Sequence, residues 1–287
     1  MTWSDITLVD PKPFDTTAAV QPNGATHSPA LSVRDISVRF SGIQACSNVS
    51  FDIDKGETLA IIGPNGAGKT TLVNAITGAV SVEAGGSVVL YGDEGVAQEL
   101  VAMRPDLIVQ LGMIRTFQNV LLIPNLSVRD NVMLGRYVHQ RTGIFRNMLG
   151  SAPTRRERAA HRARVDEILD GVGLLAYAAS DPSELAYGLK KRVELARALA
   201  SEPQILLLDE PVAGMSLEER KEMAELVRLT RRSRRDMAVL LIEHDMRFVM
   251  SLADRVMAIN QGRVLATGTP AEIQAHPLVR EAYLGAS

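Results

Sequence analysis

The stretch GPNGAGKTT occupies residues 63–71 and directly follows the apolar run TLAII. It holds three glycines, Gly63, Gly66 and Gly68, and the last of them leads into Lys69, Thr70 and Thr71. Glycines at this spacing let a backbone curl so that its N–H groups converge on one point, and a helix starting at their end adds its positive pole there. Converging N–H groups make an anion cradle. Lys69 brings a mobile positive charge to β- and γ-phosphates, the Thr70 hydroxyl is a hard oxygen ligand for Mg²⁺, and Thr71 offers a further phosphate contact. The candidate nucleotide site is therefore Gly63, Pro64, Asn65, Gly66, Ala67, Gly68, Lys69, Thr70 and Thr71. A ligand-free glycine turn between a strand and a helix is the alternative, and the Lys-Thr pair after the third glycine argues against it.

Working outward, ILLLDEP at residues 205–211 carries Asp209 to the end of an apolar run, where a carboxylate can hold Mg²⁺ through water. Glu210 follows it and is placed to orient and deprotonate an attacking water, which makes it the candidate general base. On the N-terminal side, LSVRDISVRF alternates from Leu31 with one slip, and SNVSFDI, ETLAIIG and GSVVLYG read as further strands. From about residue 114 to 200 helical patterns dominate. A capping box, TRRE, at residues 154–157 is expected to open a helix ending near Gly171, and SLEE at residues 216–219 opens another. The short apolar runs QILLLDE, AVLLIEH and RVMAIN, flanked by helical segments, have the pattern of buried parallel strands. The expected fold class is α/β with a mainly helical insertion.

The chain has 287 residues, 46% apolar and 22% charged, enough for one large domain or two small ones. A formal charge of -2 gives no general attraction to nucleic acid or anionic membranes. The cluster RRSRR at residues 231–235 lacks interleaved aromatics, and with Arg155, Arg156, Arg158, Arg162 and Arg164 it reads as solvated helix surface; no nucleic-acid partner is expected. Cys46 is the only cysteine, so no intrachain disulfide can form and a reducing compartment is expected. No apolar run approaches the roughly 20 residues that span a bilayer, and the acidic start MTWSDITLVD lacks the features of a signal peptide. The chain is expected to be neither inserted nor exported on its own. Residues 1 to about 30 are rich in Pro, Thr, Ala and Gly without apolar periodicity and read as a flexible extension.

The order GPNGAGKTT, RTFQN, LAYGLKKR, ILLLDEP, LIEHD resembles the ATP-binding subunits of ABC transporters over nearly all of residues 31–287. That resemblance implies a P-loop NTPase core with an antiparallel β subdomain and an inserted helical subdomain at about 114–197, with ATP and Mg²⁺ as ligands. It implies that Leu185, Ala186, Tyr187 and Gly188 are the signature that binds the γ-phosphate of ATP held by a second ATPase subunit. The usual form is Leu-Ser-Gly-Gly-Gln; here Ala186 replaces the serine, Tyr187 the first glycine and Leu189 the glutamine. Taken alone, LAYG could equally be a turn before a helix, and its place ahead of LLLDE decides for the signature. The resemblance further implies that Gln118 touches Mg²⁺ or the attacking water and leads into the part that meets the membrane subunit. It gives His244 a γ-phosphate contact and Phe40 an adenine stack, a core phenylalanine being the other reading of Phe40. Ser216 stands near the place of the family's D-loop aspartate.

GMIRTFQNVLLIPNLSVRDNVMLGR, the LAYG form and the tail GTPAEIQAHPLVREAYLG resemble the subgroup that serves branched-chain amino-acid importers. It implies partnership with integral-membrane permeases, a second ATPase subunit and, indirectly, an external solute-binding protein, at the cytoplasmic face of the membrane. An importer ATPase for urea or amides, an exporter ATPase for lipid or lipopolysaccharide, and a soluble ABC protein of ribosomes or DNA are the alternatives. The last usually carries two cassettes or a long coiled coil, and neither is present. Deleting residues 1 to about 30 is expected to leave melting temperature and ATP hydrolysis close to those of the full chain, because the segment offers little periodic apolar surface to dock; a large loss in either measurement would contradict this.

Overall fold

A computed structural model describes residues 29–92, 96–116, 120–139 and 152–284, apart from the side chains of 152–155 and 284. Gln118 and the extension at residues 1–28 lie outside the described residues. The first strands, β1 (Pro29–Phe40) and β2 (Ile43–Asp54), form a long antiparallel pair. The slip in the sequence alternation falls between Val33 and Ile36, where the register shifts and Asp35 takes φ 50. A bulge there turns both Val33 and Ile36 into the core. Strand β2 begins at Ile43, ahead of the SNVSFDI run, because Gln44 and Cys46 continue the pairing with β1.

Strand β3 (Thr58–Ile62) precedes the glycine loop and helix α1 (Lys69–Ile76). Strands β4 (Ser87–Tyr91) and β5 (Ala97–Glu99) complete a four-stranded antiparallel sheet, ordered β2-β1-β4-β5. After α2 (Pro105–Gln110), β6 (Met113–Arg115) pairs in parallel with β7 (Ile205–Asp209). The sheet thus reaches Arg115, which corrects the expectation of helix from about 114. A three-residue strand is too short to carry a periodic signal. The helices that follow are α3 (Val128–Met133), α4 (Ala152–Gly171) and α5 (Tyr187–Ala200). Since α4 starts at Ala152, Thr154 lies within its first turn, and the capping box expected at residues 154–157 does not mark the start of the helix.

After β7 come α6 (Leu217–Ser233), β8 (Ala238–Ile242), α7 (Met246–Leu252), β9 (Arg255–Asn260), β10 (Arg263–Gly268), α8 (Pro270–Ala275) and α9 (Pro277–Leu284). Ser216 and Glu219 form the capping box of α6. The second sheet runs β10-β9-β3-β8-β7-β6, parallel except at the β10 edge. All five residues of β3, β7 and β8 are buried, because both faces of this sheet are covered. Alternate residues go to different cores: Leu59, Ile61, Leu207 and Leu240 pack toward the antiparallel sheet, whereas Ala60, Ile62, Leu208 and Leu241 pack with the helices.

The arginines at residues 231–235 are not simply solvated. Arg231 donates to the Gly56 carbonyl at 2.6 Å and to Asp254 at 2.8 Å, and Arg234 donates to the Leu199 carbonyl at 3.1 Å, tying the end of α6 to neighbouring elements.

Leu240 lies in β8, between β3 and β7, and is fully buried. Leu240→Ala is expected to cost about 2–5 kcal/mol, read as a lower urea midpoint at unchanged slope. A loss below about 1 kcal/mol would show that the site collapses around the smaller side chain.

Candidate functional site

The carboxyl ends of β3, β7 and β8 lie side by side, and each continues into a segment with polar side chains. From β3 the chain enters the glycine loop. Gly68 takes φ 100, and a Cβ there would sit 2.5 Å from the Ala45 carbonyl oxygen. A Cβ at Gly63 would sit 2.3 Å from the Ile259 carbonyl oxygen, so only glycine lets the loop pack against β2 and β9. Around Gly66, in contrast, nothing stands within 4 Å of a built Cβ. The loop is held from beneath and open above. The start of α1 also carries the exposed Thr70 and the half-buried Thr71.

Lys69 is buried, and its Nζ donates to the carbonyls of Gly63 at 2.7 Å and Pro64 at 3.0 Å. Burial lowers its pKa, against the pull of Glu210, Glu243 and Asp209, which favour the ammonium. Asp209 ends β7 and is ion-paired with Arg115 of β6 at 2.6 Å; Arg115 also donates to Asn74 of α1 at 2.7 Å. Glu210 takes φ 47, unusual for a residue with a side chain, while its N–H donates to the Ile242 carbonyl at 2.9 Å. This bond extends the β7–β8 pairing one residue past the strand.

Glu243 and Arg115 are site residues that sequence reasoning missed. Glu243 is fully buried at the end of β8, and its carboxylate accepts from the amides of His244 at 2.8 Å and Asp245 at 3.0 Å. The turn after β8 is thereby fixed, and His244 stands with Nδ1 3.8 Å from Glu210 Oε1 and 3.7 Å from Glu243 Oε2. A carboxylate closing an otherwise apolar strand, in LIEHD, was the available signal. Arg115 gave none, because its partner lies 94 positions away.

Phe40 closes β1 and is 47% exposed, so it is not a core residue. The LAYG segment stands at the start of α5, with Ala186 as N-cap, Tyr187 exposed and Gly188 buried. The tyrosine ring seats against Gly214, in the segment that follows Glu210. Helix α5 also grips the segment after residue 118: the Leu121 N–H donates to Glu194 at 3.0 Å, and Arg197 donates to the Leu121 carbonyl at 2.6 Å. Asn131 of α3, buried, holds the same segment by accepting from the Ile123 N–H at 2.7 Å.

The oxygen donors Thr70 and Asp209 fit the preference of Mg²⁺ for hard ligands, and the open glycine loop beside Lys69 fits a polyphosphate. Under the loop, the Cys46 thiol donates to the Gly68 carbonyl at 3.5 Å, and burial pushes its pKa up to about 11. Thiol reagents at pH near 8 are expected to label the folded chain slowly and the urea-unfolded chain rapidly. Folding disfavours the thiolate, so the contribution of Cys46 to stability falls as pH rises from about 9 toward about 11. Equal labelling rates would show the loop opening freely.

Residues 46–213 match the family model of the ABC transporter, and residues 263–287 that of the branched-chain amino acid ATP-binding cassette transporter. The chain is 39% identical to the high-affinity branched-chain amino acid transport ATP-binding protein LivG of Escherichia coli (strain K12), over 90% of this chain and 98% of that one. It is 36% identical to the corresponding protein BraF of Pseudomonas aeruginosa over the same shares. The crystal structure of the ADP conformation of MJ1267, an ATP-binding cassette of an ABC transporter, is similar with TM-score 0.75 and 26% identity, covering 90% of this chain and 99% of that one. A glycine loop and a β7–β8 rim in this fold, with relatives of this kind along almost the whole chain, leave one assignment: the chain belongs to the ABC transporter family, as an ATP-binding subunit of the branched-chain importer type.

Proposed function

We propose that the chain hydrolyses ATP to drive uptake of branched-chain or other hydrophobic amino acids through partner permeases. The observation that carries the catalytic reading is the rim itself, where Lys69, Asp209, Glu210 and His244 share one edge of the parallel sheet. The loop amides and Lys69 bind the β- and γ-phosphates, for which Lys69 leaves the carbonyls of Gly63 and Pro64. Glu210 accepts a proton from the water whose oxygen attacks the γ-phosphorus; the bond to the bridging oxygen breaks, and ADP and phosphate leave. His244 lies close enough to Glu210 to orient that water and contact the γ-phosphate. Thr70, Asp209 and Gln118 would hold Mg²⁺, which when bound draws charge from the phosphate oxygens. Phe40 offers an exposed ring for adenine.

Residues 185–188 act toward ATP on a second ATPase subunit, through the amides at the start of α5. Permeases dock near the segment after Gln118, where Leu121 and Ile123 are exposed apolar side chains. The external solute-binding protein acts through those permeases. No helix among the described residues is long and apolar enough to cross a membrane; peripheral attachment at the cytoplasmic face is supported by the likeness to importer ATP-binding subunits.

Glu210→Gln keeps shape but removes the proton acceptor, so ATP binding is expected to persist while turnover falls about 10²–10⁴-fold. Retained turnover would remove Glu210 from the mechanism. Lys69→Ala is expected to weaken ATP binding itself. Gly188→Asp is expected to abolish ATP-driven association of subunits while monomer ATP affinity stays near that of the parent. A joint loss of melting temperature, monomer binding and turnover would instead mark residues 185–188 as a plain helix start. Purification from membranes is expected to bring permeases along, and gene deletion to abolish branched-chain amino-acid uptake; intact uptake would refute the transport assignment.

A further inference from the structure

The first turn of α5 is met by a carboxylate from another helix. Ala186, its N-cap, has no side-chain oxygen and makes no capping bond, so the N–H groups of that turn are left for other acceptors. Glu219 of α6 is there: a Cβ built on Gly188 would lie 2.3 Å from its Oε1 and 2.9 Å from its Cδ. The carboxylate fits only because residue 188 has no side chain. Its other oxygen accepts from the Ser216 N–H at 2.8 Å and closes the capping box of α6. One carboxylate therefore serves two helix N-termini. The Ser216 amide and hydroxyl foremost, then the Gly188 amide and Arg192, hold it below the usual carboxylate range, so it is an anion at neutral pH.

We propose that Glu219 is an occluding anion: in the isolated subunit it fills the place at the start of α5 that the terminal phosphate of a partner-bound nucleoside triphosphate must take, and it withdraws when the subunits close. The proposal rests on the reading of residues 185–188 as the signature. Two anions cannot share one helix N-terminus without repulsion, and the positive pole there falls off within a turn. Glu219 can withdraw at little cost. Its hold on Ser216 uses the other oxygen, and Arg192, which is ion-paired with Glu222, lies close enough to attract the displaced charge. The movement would be felt near the base, because a compact turn joins Glu210 to Ser216, with the Ala213 N–H on the Glu210 carbonyl at 3.2 Å and the Met215 N–H on that of Val212 at 3.1 Å. Arrival of the partner's phosphate is thus passed to the segment that carries Glu210.

The test uses the full chain carrying Glu210→Gln, with ATP-dependent self-association followed by sedimentation. Glu219→Gln on that background keeps the size and the oxygen for Ser216 but removes the charge. Association is expected to tighten about two- to tenfold, the worth of one charge at a helix N-terminus, with monomer ATP affinity unchanged. Glu219→Ala, which removes both oxygens, is expected to associate more tightly than the parent even where its melting temperature is lower. Unchanged or weaker association in both variants, or no ATP-dependent association on any background, overturns the proposal. Gly188→Asp on the same background separates the two claims. If it leaves association intact, the signature reading itself fails; if it abolishes association while the Glu219 variants match their parent, only the occlusion fails.

Discussion

The Lys69 ammonium, buried against the carbonyls of Gly63 and Pro64, is the interaction on which the rest of the rim depends. A charge taken out of water is costly unless it is paired, and Lys69 is surrounded for this reason by Asp209, Glu210 and Glu243. Those carboxylates need positive partners in turn. Arg115 answers Asp209, and the amides after β8 answer Glu243. The strand order makes this possible, because β6, β7, β8 and β3 as successive neighbours bring these groups to one edge.

Helix α5 links this edge to the segment after residue 118 and to the start of α6. Its first turn faces Glu219 and Gly214, and its middle holds both backbone groups of Leu121 through Glu194 and Arg197. Glu194 and Lys191 are both buried on α5, 3.8 Å apart, and burial shifts each toward its neutral form. A helix fastened in this way ties its first turn structurally to the segment after residue 118.

Two departures of residues 185–188 from the usual form of the proposed signature acquire physical meaning from these contacts. Ala186 gives up the capping hydroxyl, and Glu219 supplies an acceptor in its place. Tyr187 in the position of a glycine packs on Gly214, which is left-handed with φ 75 and has no side chain to obstruct the ring. The serine that stands near the expected D-loop aspartate caps α6 together with Glu219.

The sequence by itself determined the elements whose signals are local. Glycine spacing marked the loop, apolar runs marked β3, β7 and β8, and the slip in the β1 alternation coincides with the bulge at Asp35. Asp209 and Glu210 were legible because a charged pair ending an apolar run is itself a local pattern. The tertiary structure alone decided which distant groups meet. Strand β6 exists because β7 pairs with it, Arg115 reaches Asp209 across 94 positions, and Glu219 meets Gly188 from a different helix. Such pairings are set by strand order and helix packing rather than by the residues flanking each partner. Their energy comes from burial and from charge brought within a few ångströms, and neither exists until the chain has folded.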